Sequence, residues 1–248
     1  MRALLALLFC LATPLTAESI VSDLSRDEVS INVTFNGSDI LIFGAVRRDA
    51  PEPEGEMGVI ITVAGPDQDV TVRRKAQKFG IWVNTDQVEI AEAPSFYAVA
   101  SSGPLEDVLR ASEDLRHKIT IPQALGQVGT NVLDSRNFSA ALLRIREGQS
   151  LYQVNEGAVS LSQDTLFSTS VELPANLTEG TYATQIYLTR DGTVIDSYEN
   201  VIPVKKVGLE RWLYNLSREH AFWYGLMSLA IAIASGWLAS AVFTFARR

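Results

Sequence analysis

Hydrophobic positions alternate with polar ones over much of the chain, and the period changes from segment to segment. Residues 29–35 set Val29, Ile31, Val33 and Phe35 against Ser30, Asn32 and Thr34, which predicts a half-buried strand. Asn36-Gly37 follows and predicts a hairpin. Residues 40–46 are nearly all apolar and predict a strand buried on both faces. Prolines at 51 and 53 mark a loop, because they cannot donate to a sheet. Val59 to Ala64 predicts a third strand, and Gly65-Pro66-Asp67 turns the chain into Val70 to Arg74. Phe79, Ile81 and Val83 then alternate with Gly80, Trp82 and Asn84. Runs at 88–90 and 96–100 bring the total to about seven short strands, the spacing of a sandwich or barrel.

A helical period replaces the alternation at Gly103-Pro104, with Pro suited to a first helical position. Leu105, Val108, Leu109 and Ser112 share one face, and Phe138, Ala141, Leu142 and Ile145 another, ended at Gly148. Residues 121–133 fit no single period, so 103–148 reads as two or three helices. Alternation returns after Asn155. Phe167, Thr169, Val171 and Leu173 form one series and Tyr182, Thr184, Ile186 and Leu188 the next. The stretch from Pro174 to Tyr182 has the form of the corner before a late strand of an immunoglobulin-like sandwich. Asp191-Gly192 predicts another hairpin.

Both ends are apolar. Residues 1–17 pair a short basic start, a run of about ten apolar residues and a small-residue exit, the pattern of a secretory leader cleaved after Ala17 or Ala12. Cys10 lies inside this run, so the exported chain would carry no thiol. From Ala221 to Ala246 there is no charge, which at about 1.5 Å per residue is enough to cross a bilayer. Trp223 and Tyr224 suit the interfacial belt, and Arg247-Arg248 follow as a cytoplasmic stop. Within this helix Ser228, Ala232, Gly236 and Ser240 recur every four residues. They form either a small-residue face that docks on another membrane helix or a chance recurrence. Just upstream, Leu209, Trp212, Leu213 and Leu216 share the face of an amphipathic juxtamembrane helix.

Composition changes this picture in three ways. Basic residues number 21 and acidic residues 29, for a net charge of −8, which disfavours nucleic acid. Arg2, Arg247 and Arg248 lie outside the exported span, which keeps 18 basic and all 29 acidic residues and so carries about −11. One Cys and two His, His117 and His220, leave little for disulfide, zinc or triad chemistry, and both His read as solvated surface residues. No catalytic, metal-binding or cofactor-binding set stands out. One cluster does: Arg73, Arg74, Lys75 and Lys78 directly precede the segment containing Trp82. It is a candidate site for a small oxyanion or an acidic partner loop, with a solvated strand end as the alternative.

Several segments resemble an alphaproteobacterial family of putative transmembrane proteins whose members have no established activity. They are 39–45, the run Val72-Arg73-Arg74-Lys75 with Gly80-Ile81-Trp82-Val83-Asn84, 94–98, Glu179-Gly180-Thr181-Tyr182 and the terminal helix. The resemblance spans nearly the whole chain. It implies an exported single-span protein, often encoded near multi-span sulfite or sulfonate exporters, and assigns no site residues.

The expectation is a mainly β, immunoglobulin-like sandwich with an inserted helical segment and one C-terminal transmembrane helix. Its parts are a leader (1–17), an N-terminal β region (18–102), a helical insertion (103–154) and a C-terminal β region (155–207) that completes the sandwich or adds a second. A juxtamembrane helix (208–220), a span (221–246) and a stub (247–248) follow. The expected role is a non-enzymatic accessory or interaction protein of the bacterial inner membrane. Its β domain would be periplasmic, and a multi-span exporter or a second copy its partner. The alternative is a periplasmic small-oxyanion-binding module.

Overall fold

The computed structural model describes residues 18–246 apart from 27, 32–34, 49–50, 52, 126–134 and 207–208. The predicted leader with Cys10, the pair Arg247-Arg248 and most of the ambiguous 121–133 stretch therefore lie outside the described residues. The first half forms β1 (Glu18–Leu24), β2 (Val29–Ile31), β3 (Ser38–Arg48), β4 (Met57–Ala64), β5 (Asp67–Lys78), β6 (Ile81–Pro94) and β7 (Tyr97–Ser101). Among the described residues four helices follow: α1 (Leu105–Val108), α2 (Ala111–His117), α3 (Ile121–Ala124) and α4 (Ser135–Gly148). Strands return as β8 (Tyr152–Asn155), β9 (Ser160–Ser162), β10 (Leu166–Leu173), β11 (Gly180–Arg190) and β12 (Thr193–Lys206). The chain closes with α5 (Leu209–Glu219) and α6 (Ala221–Ala246). By packing, the described residues divide into two units, one of 18–29 with 36–204 and one of 30–35 with 205–246.

The fold is mainly β, with a sheet ordered β1-β3-β10-β9 and a larger one ordered β2-β12-β11-β4-β7-β8. The immunoglobulin-like corner forms as the sequence predicts: the Tyr182 hydroxyl donates to the Thr178 carbonyl at 2.9 Å, four residues upstream. Asp191-Gly192 makes the predicted two-residue hairpin, since Arg190 pairs with Thr193 and both turn residues have positive φ. The helical segment also has a structural purpose. Strand β8 pairs parallel with β7, Tyr97 opposite Tyr152, and parallel neighbours need a long crossover. Residues 102–151 supply it.

That crossover covers the outer face of the larger sheet. The Tyr97 hydroxyl donates to the Ile119 carbonyl at 2.9 Å, and the His117 ring meets Tyr187 edge-on with centroids 5.5 Å apart. Strand β4 is buried from Met57 to Val63, because one face turns to the sandwich interior and the other to the crossover. The helices are shorter than the periodicity suggests. Leu109 is extended, and the Arg110 amide donates to the Gly192 carbonyl at 2.8 Å, so the β11–β12 turn takes a bond that a continuous helix would use.

Three other expectations are corrected. Asn36-Gly37 is not a hairpin: β2 and β3 lie in different sheets, so the chain crosses between layers there. The doubly buried strand is β4, not residues 40–46. In β3, Ile40, Ile42 and Val46 face inward while Leu41 and Phe43 are exposed beside Val21 and Leu166. Gly44 is on the inner face, where an added Cβ would lie 2.5 Å from the Phe167 ring. Finally, Phe79 and Gly80 do not belong to a strand. They form the turn between β5 and β6, which absorb the separate runs predicted around them.

One buried carboxylate joins the two sheets. The Glu18 Oε1 on β1 accepts from Arg48 Nε on β3 at 2.8 Å, and both its oxygens accept from Arg190 Nη2 on β11 at 2.9 Å. Arg190 Nη1 also donates to the carbonyls of Pro53 at 2.9 Å and Gly55 at 2.7 Å. The Ile20 amide donates to Asp196 Oδ2 on β12 at 2.8 Å. Burial raises the Glu18 pKa, but the hydrogen bonds and charges of Arg48 and Arg190 outweigh it and hold the carboxyl below its ordinary value.

In the second unit, α5 passes into α6 through His220. The His220 amide donates to the Leu216 carbonyl at 3.2 Å, and its own carbonyl accepts from Tyr224 at 3.1 Å. Residues Ala221–Ser240 form one candidate membrane span, uncharged and with none of its residues buried.

Glu18→Gln should destabilise the first unit by about 3 kcal/mol at neutral pH, because it leaves two arginines facing a neutral amide. A carboxyl whose folded pKa is lowered stabilises above its unfolded pKa and ceases to as pH falls through the folded one. Denaturation of the wild-type chain and the variant should therefore converge in acid.

Candidate functional site

The predicted basic cluster lies on a two-stranded ribbon, β5 with β6, and pairs with no third strand among the described residues. Its foot is fixed. The Ser95 amide donates to the Pro66 carbonyl at 2.9 Å, the Tyr152 hydroxyl to the Pro94 carbonyl at 2.8 Å, and Gln68 Nε2 to Thr178 Oγ1 at 3.1 Å. The lower ribbon rests on α4, where Val72, Val88, Ile90 and Ala93 pack against Phe138 and Leu142. Three of the four residues of the predicted α4 stripe serve this contact, Ala141 in part, and the fourth, Ile145, is exposed.

Arg74 marks the end of the support. Its guanidinium sits 4.7 Å from the centre of the Phe138 ring and 3.9 Å from Asp86 Oδ2. Beyond it, from Lys75 to Asn84, no residue is buried. Four residues at about 3.4 Å each carry the strand roughly 14 Å from Arg74 to Lys78.

The cluster is split over the two faces of the ribbon. Directly paired residues share a face. Arg74 pairs with Asp86, on the face of Val72 and Val88 that meets α4. The register then shifts, and Lys75 pairs with Asn84 and Gln77 with Trp82. Arg73, Lys75 and Trp82 thus occupy the face away from α4, while Arg74 and Lys78 share the other. Four cations spread over two faces of an open ribbon do not converge on one small anion.

Charge is graded along the ribbon as well. All four cations fall within 73–84, which contains no acid, whereas Asp67, Asp69, Asp86, Glu89 and Glu92 lie nearer the foot. Burial, with Glu92 adding to it, raises the Asp67 carboxyl above its ordinary value.

At the tip Lys78 pairs with Ile81 across a two-residue turn, Phe79 at φ 51° and Gly80 at φ 84°. Such a turn favours Asn-Gly or Asp-Gly. A phenylalanine in the left-handed region costs on the order of 1 kcal/mol. Its ring is fully exposed, with Ile81 at 64 % and Trp82 at 68 % exposure beside it. The sequence reading included Trp82 but missed Phe79 and Ile81 as tip residues. The available signal was Gly80 between two alternating runs, which marks a turn.

His117 is not the freely solvated residue that its charged neighbours suggest. Its side chain is 28 % exposed, with Nε2 3.6 Å from the buried carboxylate of Glu113. With Gln185, Tyr187, Ser197, Tyr198 and Glu199 it lines a cleft of about 280 Å³ on the outer face of the larger sheet. The Tyr187 hydroxyl donates to Gln185 Oε1 at 2.5 Å, and burial with the nearby Glu199 pushes its pKa up to about 12. This phenol is therefore a neutral donor rather than a base. On α6, Ser228, Ala232, Gly236 and Ser240 are all exposed, and a Cβ added at Gly236 would meet nothing within 4 Å.

These features define a mainly β protein with a projecting basic ribbon and, among the described residues, one candidate membrane-spanning helix. A family model from alphaproteobacteria, described as "Putative transmembrane protein", matches residues 19–244, and the chain belongs to that family. No curated protein matches it.

The geometry separates the roles of adjacent arginines. Arg74→Ala should lower stability by about 0.5–1 kcal/mol through loss of the Phe138 contact. Arg73→Ala should stay within about 0.5 kcal/mol of wild type. Chemical denaturation of the two variants side by side checks this.

Proposed function

We propose that the protein is a non-enzymatic accessory module anchored in the bacterial inner membrane. Its first unit occupies the periplasm, and Arg247-Arg248 remain in the cytoplasm. The observation that carries this reading is the uncharged, wholly unburied helix Ala221–Ser240 at the end of a chain from a transmembrane family. An exposed apolar helix of this length is costly in water and stable in lipid. Phe222 and Trp223, in edge contact with ring centroids 5.8 Å apart, open the helix with the aromatics expected at an interface. The predicted leader and the basic pair Arg247-Arg248 support this orientation.

The partner in this reading is a membrane protein, with the row Ser228, Ala232, Gly236 and Ser240 as its contact face. Small residues let two helix backbones approach closely in lipid, where packing and not apolar burial drives association. A multi-span exporter of the sulfite or sulfonate type fits the role, as does a second copy of the chain.

Three measurements test the reading. Mass spectrometry of the membrane-bound protein should find Glu18 at its N-terminus. Protease added to spheroplasts should remove the β domain and leave a short membrane fragment, whereas full protection would reverse the orientation. In-membrane crosslinking should capture a partner helix, and Gly236→Ile should weaken capture about tenfold. Absence of both partner and self-association in the wild type would defeat the accessory role.

A further inference from the structure

We propose that the tip of the β5–β6 ribbon is a membrane-docking element. It would insert Phe79, Ile81 and Trp82 among the headgroups of the bilayer that α6 spans, with Arg73, Lys75 and Lys78 on anionic lipid. The proposal rests on the anchoring reading, which keeps the first unit tethered to a lipid surface.

Three independent features of the ribbon point to lipid. The first is composition: a bulky apolar trio, fully or largely exposed, is bordered by cations and by no acid. Aromatic rings at headgroup depth with flanking Lys and Arg are the combination that bilayer interfaces favour. The second is the turn. Phe79 occupies a left-handed position where Asn would be relaxed, so local structure gives no reason for a phenylalanine there. Its ring has no partner within its own fold, being fully exposed. The third is charge placement. The exported span carries about −11 and is repelled by anionic lipid as a whole. Residues 73–84 carry +4 and no acid, while five acids lie nearer the foot. The ribbon is therefore attracted at its tip and repelled at its base, which orients it end-on.

The cations also suit a surface better than a pocket. They occupy both faces of the ribbon, so a planar array of headgroups can meet Arg73 and Lys75 on one side and Lys78 on the other. Arg74 stays on Phe138 and braces the strand.

The test uses the leader-processed, membrane-bound chain, which carries no cysteine because Cys10 leaves with the leader. A nitroxide is placed at Gln77→Cys, a polar exposed site paired with Trp82, or at Leu229→Cys in the span. The protein is reconstituted in nanodiscs of phosphatidylcholine, with or without phosphatidylglycerol. Accessibility to oxygen against a nickel chelate then reports depth. In anionic discs the Gln77 label should favour oxygen severalfold over a label at exposed Gln163→Cys, and less so in neutral discs or high salt. Phe79→Asn, which suits the turn, should return the label to water. The triple change Arg73→Gln, Lys75→Gln, Lys78→Gln should weaken docking on the order of a hundredfold. A Leu229 label in lipid with the Gln77 label in water in both discs overturns the proposal and leaves the anchoring reading intact. So does a Gln77 label immobilised without oxygen preference, which would mark a protein partner. A Leu229 label in water removes the anchoring reading and the proposal together.

Discussion

The carboxylate of Glu18 is the charge around which the two sheets close. Burying it alone would cost far more than the fold could offset, so it requires cations already in position. Arg48 arrives from β3 in the same sheet and Arg190 from β11 in the other. Each arginine has further work: Arg190 holds the 53–55 loop through two carbonyls, and Arg48 bonds the hydroxyl of Thr165. Strands β1, β3 and β11, with the loops before β4 and before β10, are therefore fixed at one point. Glu18 thereby ties β1 directly into the contact between the sheets.

With the sheets fixed, the crossover follows from topology. The β7–β8 pair is parallel, so the chain must pass over a face of the larger sheet to return. The apolar side chains of β4 that point away from the sandwich are then covered by 105–124. Gly58 shows how close this approach is, since a Cβ there would lie 2.9 Å from Val108. Helix α4 comes at the end of the crossover. It turns Phe138 and Leu142 to the lower ribbon and so gives an otherwise marginal two-stranded element a core of its own.

What the sequence made legible was mostly what local chemistry decides. The corner at Tyr182, the Asp191-Gly192 turn, the helices within 105–124 and 135–148 and the terminal apolar helix each have a short-range cause. The misreadings came from long-range causes. Asn36-Gly37 has hairpin chemistry, but β2 and β3 find partners in different sheets, and a dipeptide carries no information about that choice. Residues 40–46 are as apolar as β4, yet the four-stranded sheet presents Leu41 and Phe43 outward. Periodicity does not separate a doubly buried strand from one with an apolar outer face. His117 looked solvated because its sequence neighbours are charged, whereas its spatial neighbours, Glu113 and Tyr187, are set by the crossover. The basic cluster was visible as composition. Its division over two faces needs β5 to run unbroken to Lys78, beyond the strand end read at Arg74, and the register shift on β6 decides which face Trp82 joins.

The ribbon shows the same contrast within one element. From its foot to Arg74 it obeys the rules of a folded core: alternating apolar residues, a helix to pack on and anchored ends. From Lys75 to Asn84 no residue is buried, a phenylalanine takes a glycine-like conformation, and a tryptophan and an isoleucine are exposed. Exposed apolar residues gathered at one end of an element, beyond a region with a packed core, mark a segment shaped by something other than folding stability. The switch falls at the Arg74–Phe138 contact, beyond which no residue is buried as far as Asn84. A shorter ribbon closing at Arg74 would keep the whole apolar contact with α4. The extra turn-length of strand therefore contributes reach, and the residues placed at the end of that reach are the ones a lipid headgroup layer accommodates and water does not.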